Sequence, residues 1–445
     1  MDTTPRMGGV SEKNPTDVHE YTAQVTSSLI DGDANLTVGE DGLTIVSVFD
    51  GVDISYADIQ SFSAADYAVR VVTREGVFSF GRMGYGCESF YHTLSEAYNK
   101  KVQRALLISD PPILTANGNY RYNEKATENR GNAAIQIHGN CVCVLPPDIH
   151  ARRIPLCFLT GMDKGVYEVA LRLDTDDTYT FAKLGYDTVP FVDSIEKQVR
   201  SMREKTLSEV RELDSTLSSA QASAVARLMP EGAAAPLGRI NTVAPSFVRA
   251  IEREINNSRA AETYRELCKI CDPARIYVGF KKNHSSGRQK DGESVSDGLF
   301  DGSANENDLL GDPVGRFGGG DSQRASPSPD PYILWIMAPS ADGKKCAVEF
   351  AGDVGDAAAT FIYRFDGGFD PFAWSLNHAL EAIGFRREII WLSDDELMTS
   401  KKDDSRMTVE RNRDVRFVRS CFVGRAIHRS MDSWKKTITD YFGGQ

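Results

Sequence analysis

The chain has 445 residues, 41% hydrophobic and 26% charged, with a formal net charge of −12. At roughly 100–200 residues per domain, that length suggests about two to four domains with a core in each. No run approaches the ~20 consecutive apolar residues that span a bilayer, and the acidic balance disfavours global, nonspecific attraction to nucleic acid or anionic membrane.

Residues 1–19 are polar and contain no central apolar run, so they are expected to be a disordered N-terminus and not a secretory signal. Without an address signal the expected location is the cytoplasm, and the expected protein is soluble. The eight cysteines, Cys87, Cys141, Cys143, Cys157, Cys268, Cys271, Cys346 and Cys421, are thinly spread and often sit in apolar runs. That pattern fits buried thiols better than a disulfide framework.

The next 185 or so residues contain a repeat. Phe78-Ser79-Phe80-Gly81-Arg82-Met83-Gly84-Tyr85 matches Tyr179-Thr180-Phe181-Ala182-Lys183-Leu184-Gly185-Tyr186 at an offset of 101, and Phe90 and Leu94 match Phe191 and Ile195. Upstream the offset falls to 100 (Ile54 with Ile154, Ile59 with Leu159, Val69 with Val169) and then to 99 (Leu36 with Ile135, Ile45 with Val144). One length change falls in a turn, Arg74-Glu75-Gly76 against Asp174-Thr175-Asp176-Asp177, while apolar positions stay aligned. In each copy, period-two segments such as Leu36/Val38, Leu43/Ile45, Val69/Val71 and Phe78/Phe80 predict half-buried strands. A Gly-Tyr turn then leads into a helix with Phe90, Leu94, Ala97 and Val102, or Phe191, Ile195, Val199 and Met202, on one face. Gly84 and Gly185 are expected to hold a conformation that a Cβ would oppose. Arg82 and Lys183 recur beside them and are read as architecture, with no binding role.

This order of strands closed by one C-terminal helix resembles the pleckstrin-homology-like (PH-like) superfold, over residues 20–205. The stretch from Ile54-Ser55-Tyr56-Ala57-Asp58-Ile59 to the helix at Phe90 is similar to prokaryotic PH-like domains, which implies a bacterial origin. The resemblance implies an α+β fold with PH-like β-barrels at 20–109 and 110–205, each capped by a helix. It also implies binding of a peptide, ligand or lipid headgroup, without catalysis. Lipid-binding members place Lys and Arg between their first two strands, where this chain has Asp31-Gly32-Asp33 or Glu40-Asp41-Gly42. That departure points away from phosphoinositides.

Residues 206–272 predict a helical connector. The second-copy helix is expected to run on through Val210, Leu213 and Leu217 and to break near Pro230-Glu231-Gly232. A further helix follows Pro245, with Phe247, Ile251 and Ile255 on one face. Residues 273–445 predict a C-terminal α+β domain. Its strands are Ile276-Tyr277-Val278-Gly279-Phe280, Tyr332–Met337, Cys346–Phe350 and Thr360–Phe365, with a helix near Phe372–Ile383. A degenerate third PH-like unit is one reading of it. The insertion 283–331, with nine Gly, nine acidic and four basic residues, is expected to be disordered. The end of the chain predicts one amphipathic helix carrying Val415, Val418, Phe422, Ile427, Met431, Trp434 and Ile438. Residues 401–436 hold eleven Lys or Arg against five Asp or Glu. That excess fits either a core helix or a contact with anionic lipid or nucleic acid. The regular apolar face favours the core, with Phe422 buried and Arg413, Arg416 and Arg419 on the surface.

No chemical motif stands out. Cys268-Lys269-Ile270-Cys271 is a lone pair without the second pair or histidines that zinc requires, and it is read as structural. The seven histidines are scattered, and no nucleophile elbow or phosphate loop is present. Asp297–Asp308 has calcium-loop spacing but Glu306 at the turn position, so it is read as a solvated loop. Leu299-Phe300 and Leu309-Leu310 are candidate peptide ligands for partners. The sequence therefore predicts a non-catalytic binding or scaffold protein with a protein partner and no cofactor, metal or nucleic acid. A peripheral membrane protein using the basic C-terminal segment is the alternative. A hydrolase or transferase with its site in the C-terminal domain is the second alternative. No catalytic, cofactor, metal or binding residue is singled out.

Overall fold

The computed structural model describes residues 19–124, 127–282, 332–351, 359–384, 388–391, 393, 395 and 403–443. Most of the expected disordered N-terminus lies outside the described residues, as do the 283–331 insertion, its calcium-like loop and its two apolar pairs. The described chain is mixed α+β with three antiparallel sheets. It groups into two compact units, Met1–Val199 with His378–Arg419, and Arg200–Asn377 with Ser420–Gln445.

The first unit contains two seven-stranded sheets. One is built from β1 (His19–Thr26), β2 (Asp31–Val38), β3 (Gly42–Val46), β4 (Gly51–Ser55), β5 (Ile59–Ala65), β6 (Ala68–Thr73) and β7 (Val77–Gly81), followed by helix α1 (Gly86–Ala105). The other is built from β8 (Leu114–Glu124), β9 (Thr127–Ile137), β10 (Cys141–Leu145), β11 (Arg152–Pro155), β12 (Leu159–Lys164), β13 (Glu168–Leu173) and β14 (Thr178–Ala182), followed by α2 (Thr188–Leu213). Their orders, β4-β3-β2-β1-β7-β6-β5 and β11-β10-β9-β8-β14-β13-β12, are the same order shifted by seven. The period-two pattern explains the inner face: Ala34, Leu36 and Val38 are buried on β2 while the alternating Asp33 and Asn35 are exposed.

Equivalence extends to single residues. Phe80 meets Phe90 edge-on at 5.5 Å and 66°, and Phe181 meets Phe191 at 5.5 Å and 68°. A bulge interrupts β5 between Ile59 and Ser61 and β12 between Leu159 and Gly161. Gly84 and Gly185 have φ of +55° and +60°, as the turn requires. Arg82 and Lys183 share the left-handed region at +57° and +58°, a conformation costing a non-Gly residue on the order of 1 kcal/mol.

Unit two holds a six-stranded sheet of β15 (Ala235–Pro236), β16 (Tyr277–Lys282), β17 (Tyr332–Pro339), β18 (Lys345–Ala351), β19 (Ala359–Arg364) and β20 (Phe422–Ile427). These pair in chain order, a meander without the first-to-seventh pairing of the other two, so this sheet is not a third copy. The second-copy helix stops at Leu213, and Ser218 caps a new helix α3 (Ser219–Leu228) by exchanging hydrogen bonds with Gln221. Helices α4 (Leu237–Val243), α5 (Pro245–Asn257) and α6 (Ala261–Ile270) follow. Phe247, Ile251 and Ile255 are fully buried as expected. Residues expected in a connector share one apolar core with the sheet, where Val225, Ile240 and Leu267 join Val278, Ile336 and Ile362.

After α7 (Phe369–Ala382) and α8 (Glu388–Trp391) come α9 (Asp403–Arg411), α10 (Arg413–Cys421), β20 and α11 (Met431–Gly443). The single C-terminal helix expected from periodicity is therefore two helices around a strand. Phe422, Val423 and Ile427 have strand propensity, and β20 pairs with β19. Gly424 leaves room there for the Tyr441 hydroxyl, which a Cβ would approach to 2.0 Å. Val415, Val418, Trp434 and Ile438 are buried as the core reading expects, while Phe422 is only half-buried.

Candidate functional site

Besides the local pairs His92–Glu88 and His150–Asp148, two histidine–acid pairs among the described residues join positions distant in sequence. In unit one, His378 Nε2 bonds the Asp174 carboxylate, and its ring stacks on Phe158 at 3.9 Å. In unit two, His428 Nε2 lies 3.2 Å from the Glu349 carboxylate and 3.1 Å from the Thr360 hydroxyl. Thr360 is fully buried, donates to Glu349 and accepts from the Trp434 indole at 2.7 Å. A hydroxyl engaged in this way is no nucleophile, and the network ties α11 to the sheet. Among the described residues no group of three or more His, Cys, Asp or Glu is arranged to hold a metal ion.

Burial also disfavours the thiolate form of several cysteines. Burial pushes Cys268 up, and Cys271 up to about 11. Cys141, Cys143 and Cys346 are raised for the same reason. Little of any of them is thiolate near neutral pH, so the Cys268–Cys271 pair is poorly suited to redox exchange.

Five arginines of the basic C-terminal segment are engaged inside unit one. Arg411, 2% exposed, donates to the Ile59 carbonyl at 2.6 Å. Arg406 pairs with Asp58 at 3.1 Å and Arg413 with Asp177 at 3.1 Å. Arg416 donates to the Glu410 carbonyl, and Arg419 to the Ile389 carbonyl at 2.9 Å. Arg416 is exposed as the sequence suggested, while Arg413 and Arg419 are half-buried ties between elements.

The feature that separates the repeats is the outer edge of β5 and of β12. In β12 the Gly165 N–H donates to Glu168. Antiparallel alternation then makes Asp163–Ala170 and Gly161–Arg172 the bonded pairs, and it turns the Met162 and Lys164 backbone groups outward. The equivalent β5 register turns Phe62 outward. Phe62 N–H does donate outward, to the Pro147 carbonyl at 2.9 Å, with an isolated bridge between Ser61 and Asp148. The Tyr98 hydroxyl on α1 donates to the Asp148 carbonyl at 3.1 Å, and α9 packs along α1 with Met407 in the core. The first repeat's edge is therefore filled by its own chain.

Met162 occupies the Phe62 position of the second repeat, and among the described residues its outward N–H has no partner. Asp163 and Lys164 are exposed and Met162 is half-buried. Phe62, Tyr91 and Tyr98 form an aromatic group in the first repeat, with ring distances of 5.7 and 5.2 Å about Phe62. Met162, Val192 and Val199 stand at those positions in the second. The repeat alignment already equates these residues. What single-chain reading lacked was the course of Pro146-Pro147-Asp148, which depends on a tertiary contact.

No family model and no curated protein matches the chain. Among solved structures, one titled "Structure of the Spt16D Pob3N heterodimer" is similar over 39% of this chain and 86% of that one, at 14% identity and a TM-score of 0.16.

Proposed function

We propose that the chain is a non-catalytic protein-recognition molecule built on tandem PH-like domains, and that the β12 edge of the second takes an extended segment of a protein partner. One observation carries this reading. The same edge in the first repeat already bonds a chain segment through Phe62 N–H, while Met162 offers its N–H outward without a partner among the described residues. Main-chain pairing at such an edge supplies affinity, and side-chain pockets beside it supply selectivity. The bulge in β12 does not oppose pairing, since β5 carries the same bulge and is paired.

The test is selection of short random peptides displayed on phage against the full chain, followed by binding to Met162→Pro. Enriched peptides should lose binding to the proline variant, whose N–H is gone. Failure to enrich any peptide, or equal binding to the variant, would refute the reading.

A further inference from the structure

The end of the first sheet formed by the β1–β2 and β3–β4 connections carries exposed apolar side chains. Val48 and Phe49 at the β3–β4 tip are 85% and 92% exposed, and Leu29 in the β1–β2 loop is 48% exposed. The turn does not require them. Ser47 closes it by accepting from Asp50 N–H at 3.0 Å, and small polar residues would satisfy such a turn better. Two large apolar groups held in water at a hairpin tip are costly unless another surface covers them.

Charge defines that surface. Residues 19–69 contain nine acidic residues and no Lys or Arg. At the opposite end of the sheet the acids are neutralised: Asp41 by Lys101 at 2.6 Å and Glu40 by Arg104 at 2.6 Å. At the apolar end they are not. Asn35 pairs with Val46, so the tip beyond Val46 runs alongside Asp33 and Asp31 of β2. Asp31, Asp33 and Asp50 are exposed, and among the described residues they form no ion pair. An apolar centre with an uncompensated acidic rim repels anionic lipid and nucleic acid and attracts a cationic protein.

We infer that this end of the first repeat docks a basic protein segment that seats an apolar side chain against Phe49 and Val48. The surface is distinct from the β12 edge. Phe49 supplies the desolvated anchor, and the aspartates supply orientation and approach rate.

A fluorescent helical peptide of leucine and lysine serves as the probe, with its glutamate-for-lysine counterpart as control, measured by anisotropy on the full chain. Saturable binding of the lysine peptide alone is expected, weakening as salt shortens the screening length. Phe49→Ser should weaken it about tenfold. The combined Asp31→Asn, Asp33→Asn and Asp50→Asn variant should do the same. All four residues are exposed, so folding is unaffected. Combined Glu168→Gln, Asp187→Asn and Asp193→Asn on the second repeat should leave binding unchanged. Equal weakening by that control, or indifference to Phe49→Ser, would reduce the effect to bulk charge and overturn the inference. So would absence of saturable binding. Phe49-dependent binding of phosphatidylcholine vesicles would assign the surface to a membrane instead and also overturn it.

Discussion

The two seven-stranded repeats share strand order, bulge position, left-handed turn and Phe–Phe geometry, yet they differ in what lies along the outer strand and in charge. Residues 19–69 carry nine acidic residues and no Lys or Arg, whereas the equivalent residues 119–169 carry five acidic and six basic ones. What the repeats share is what the core needs, since burial and turn conformation tolerate little change. What they do not share lies on edges and rims, where substitutions cost little stability and other demands decide. The first repeat has been joined to its own chain by Pro147, Tyr98 and Arg411; the second presents the same strand outward.

The largest effect expected to sharpen this contrast comes from proline at the two outward positions. Phe62→Pro removes a buried ring and the bond to Pro147, at roughly 3–5 kcal/mol from the ring alone. Met162→Pro removes an N–H that has no partner among the described residues and should cost no more than about 1 kcal/mol, since edge strands accept proline on the outward side. Equal losses in chemical denaturation would erase the distinction between the edges.

Shared core geometry makes the opposite demand. Phe90→Ala and Phe191→Ala should each cost about 3–5 kcal/mol, and the two should agree closely because the rings meet Phe80 and Phe181 at the same distance. Denaturation midpoints that diverge widely would break the equivalence of the repeats.

A smaller effect distinguishes the repeats by pH. Asp414 on α10 faces His378 and the second repeat's Arg152 and Arg153, and burial still holds its carboxyl above the usual carboxylate range. A carboxylate raised in the native state binds its proton more tightly there than in the unfolded chain. Its ionisation therefore lowers stability as pH rises from the ordinary value of about 3.9 through the raised native value. Asp414→Asn should raise the melting temperature at neutral pH, and the gain should vanish on acidification below that ordinary value. A gain independent of pH would show that ionisation of Asp414 is not its source.

Much of the architecture was legible because it rests on periodicity. The strands of both repeats, the helices at Phe90 and Phe191, and the strands at Tyr332, Cys346 and Thr360 follow from alternation or helical spacing. The C-terminal stretch misled because Val418, Phe422 and Trp434 fit a helical period, although Gly424 and the pairing of β20 with β19 cut it. The basic excess of residues 401–436 left a core helix and a contact surface both open, with the core favoured; Arg406, Arg411 and Arg413 meet carbonyls or carboxylates far away in sequence, contacts that composition does not encode. The edge was hidden for the same reason: Phe62 and Met162 align in sequence, but only the folded course of Pro147 separates them.

Amide-resolved hydrogen exchange on the full chain tests the central claim most directly. The Phe62 N–H, bonded to Pro147, should exchange slowly, while the Met162 N–H should exchange near the rate of an open backbone and become protected when a selected peptide is added. A Met162 amide already protected in the chain alone, or one that stays unprotected with the peptide bound, would contradict the account.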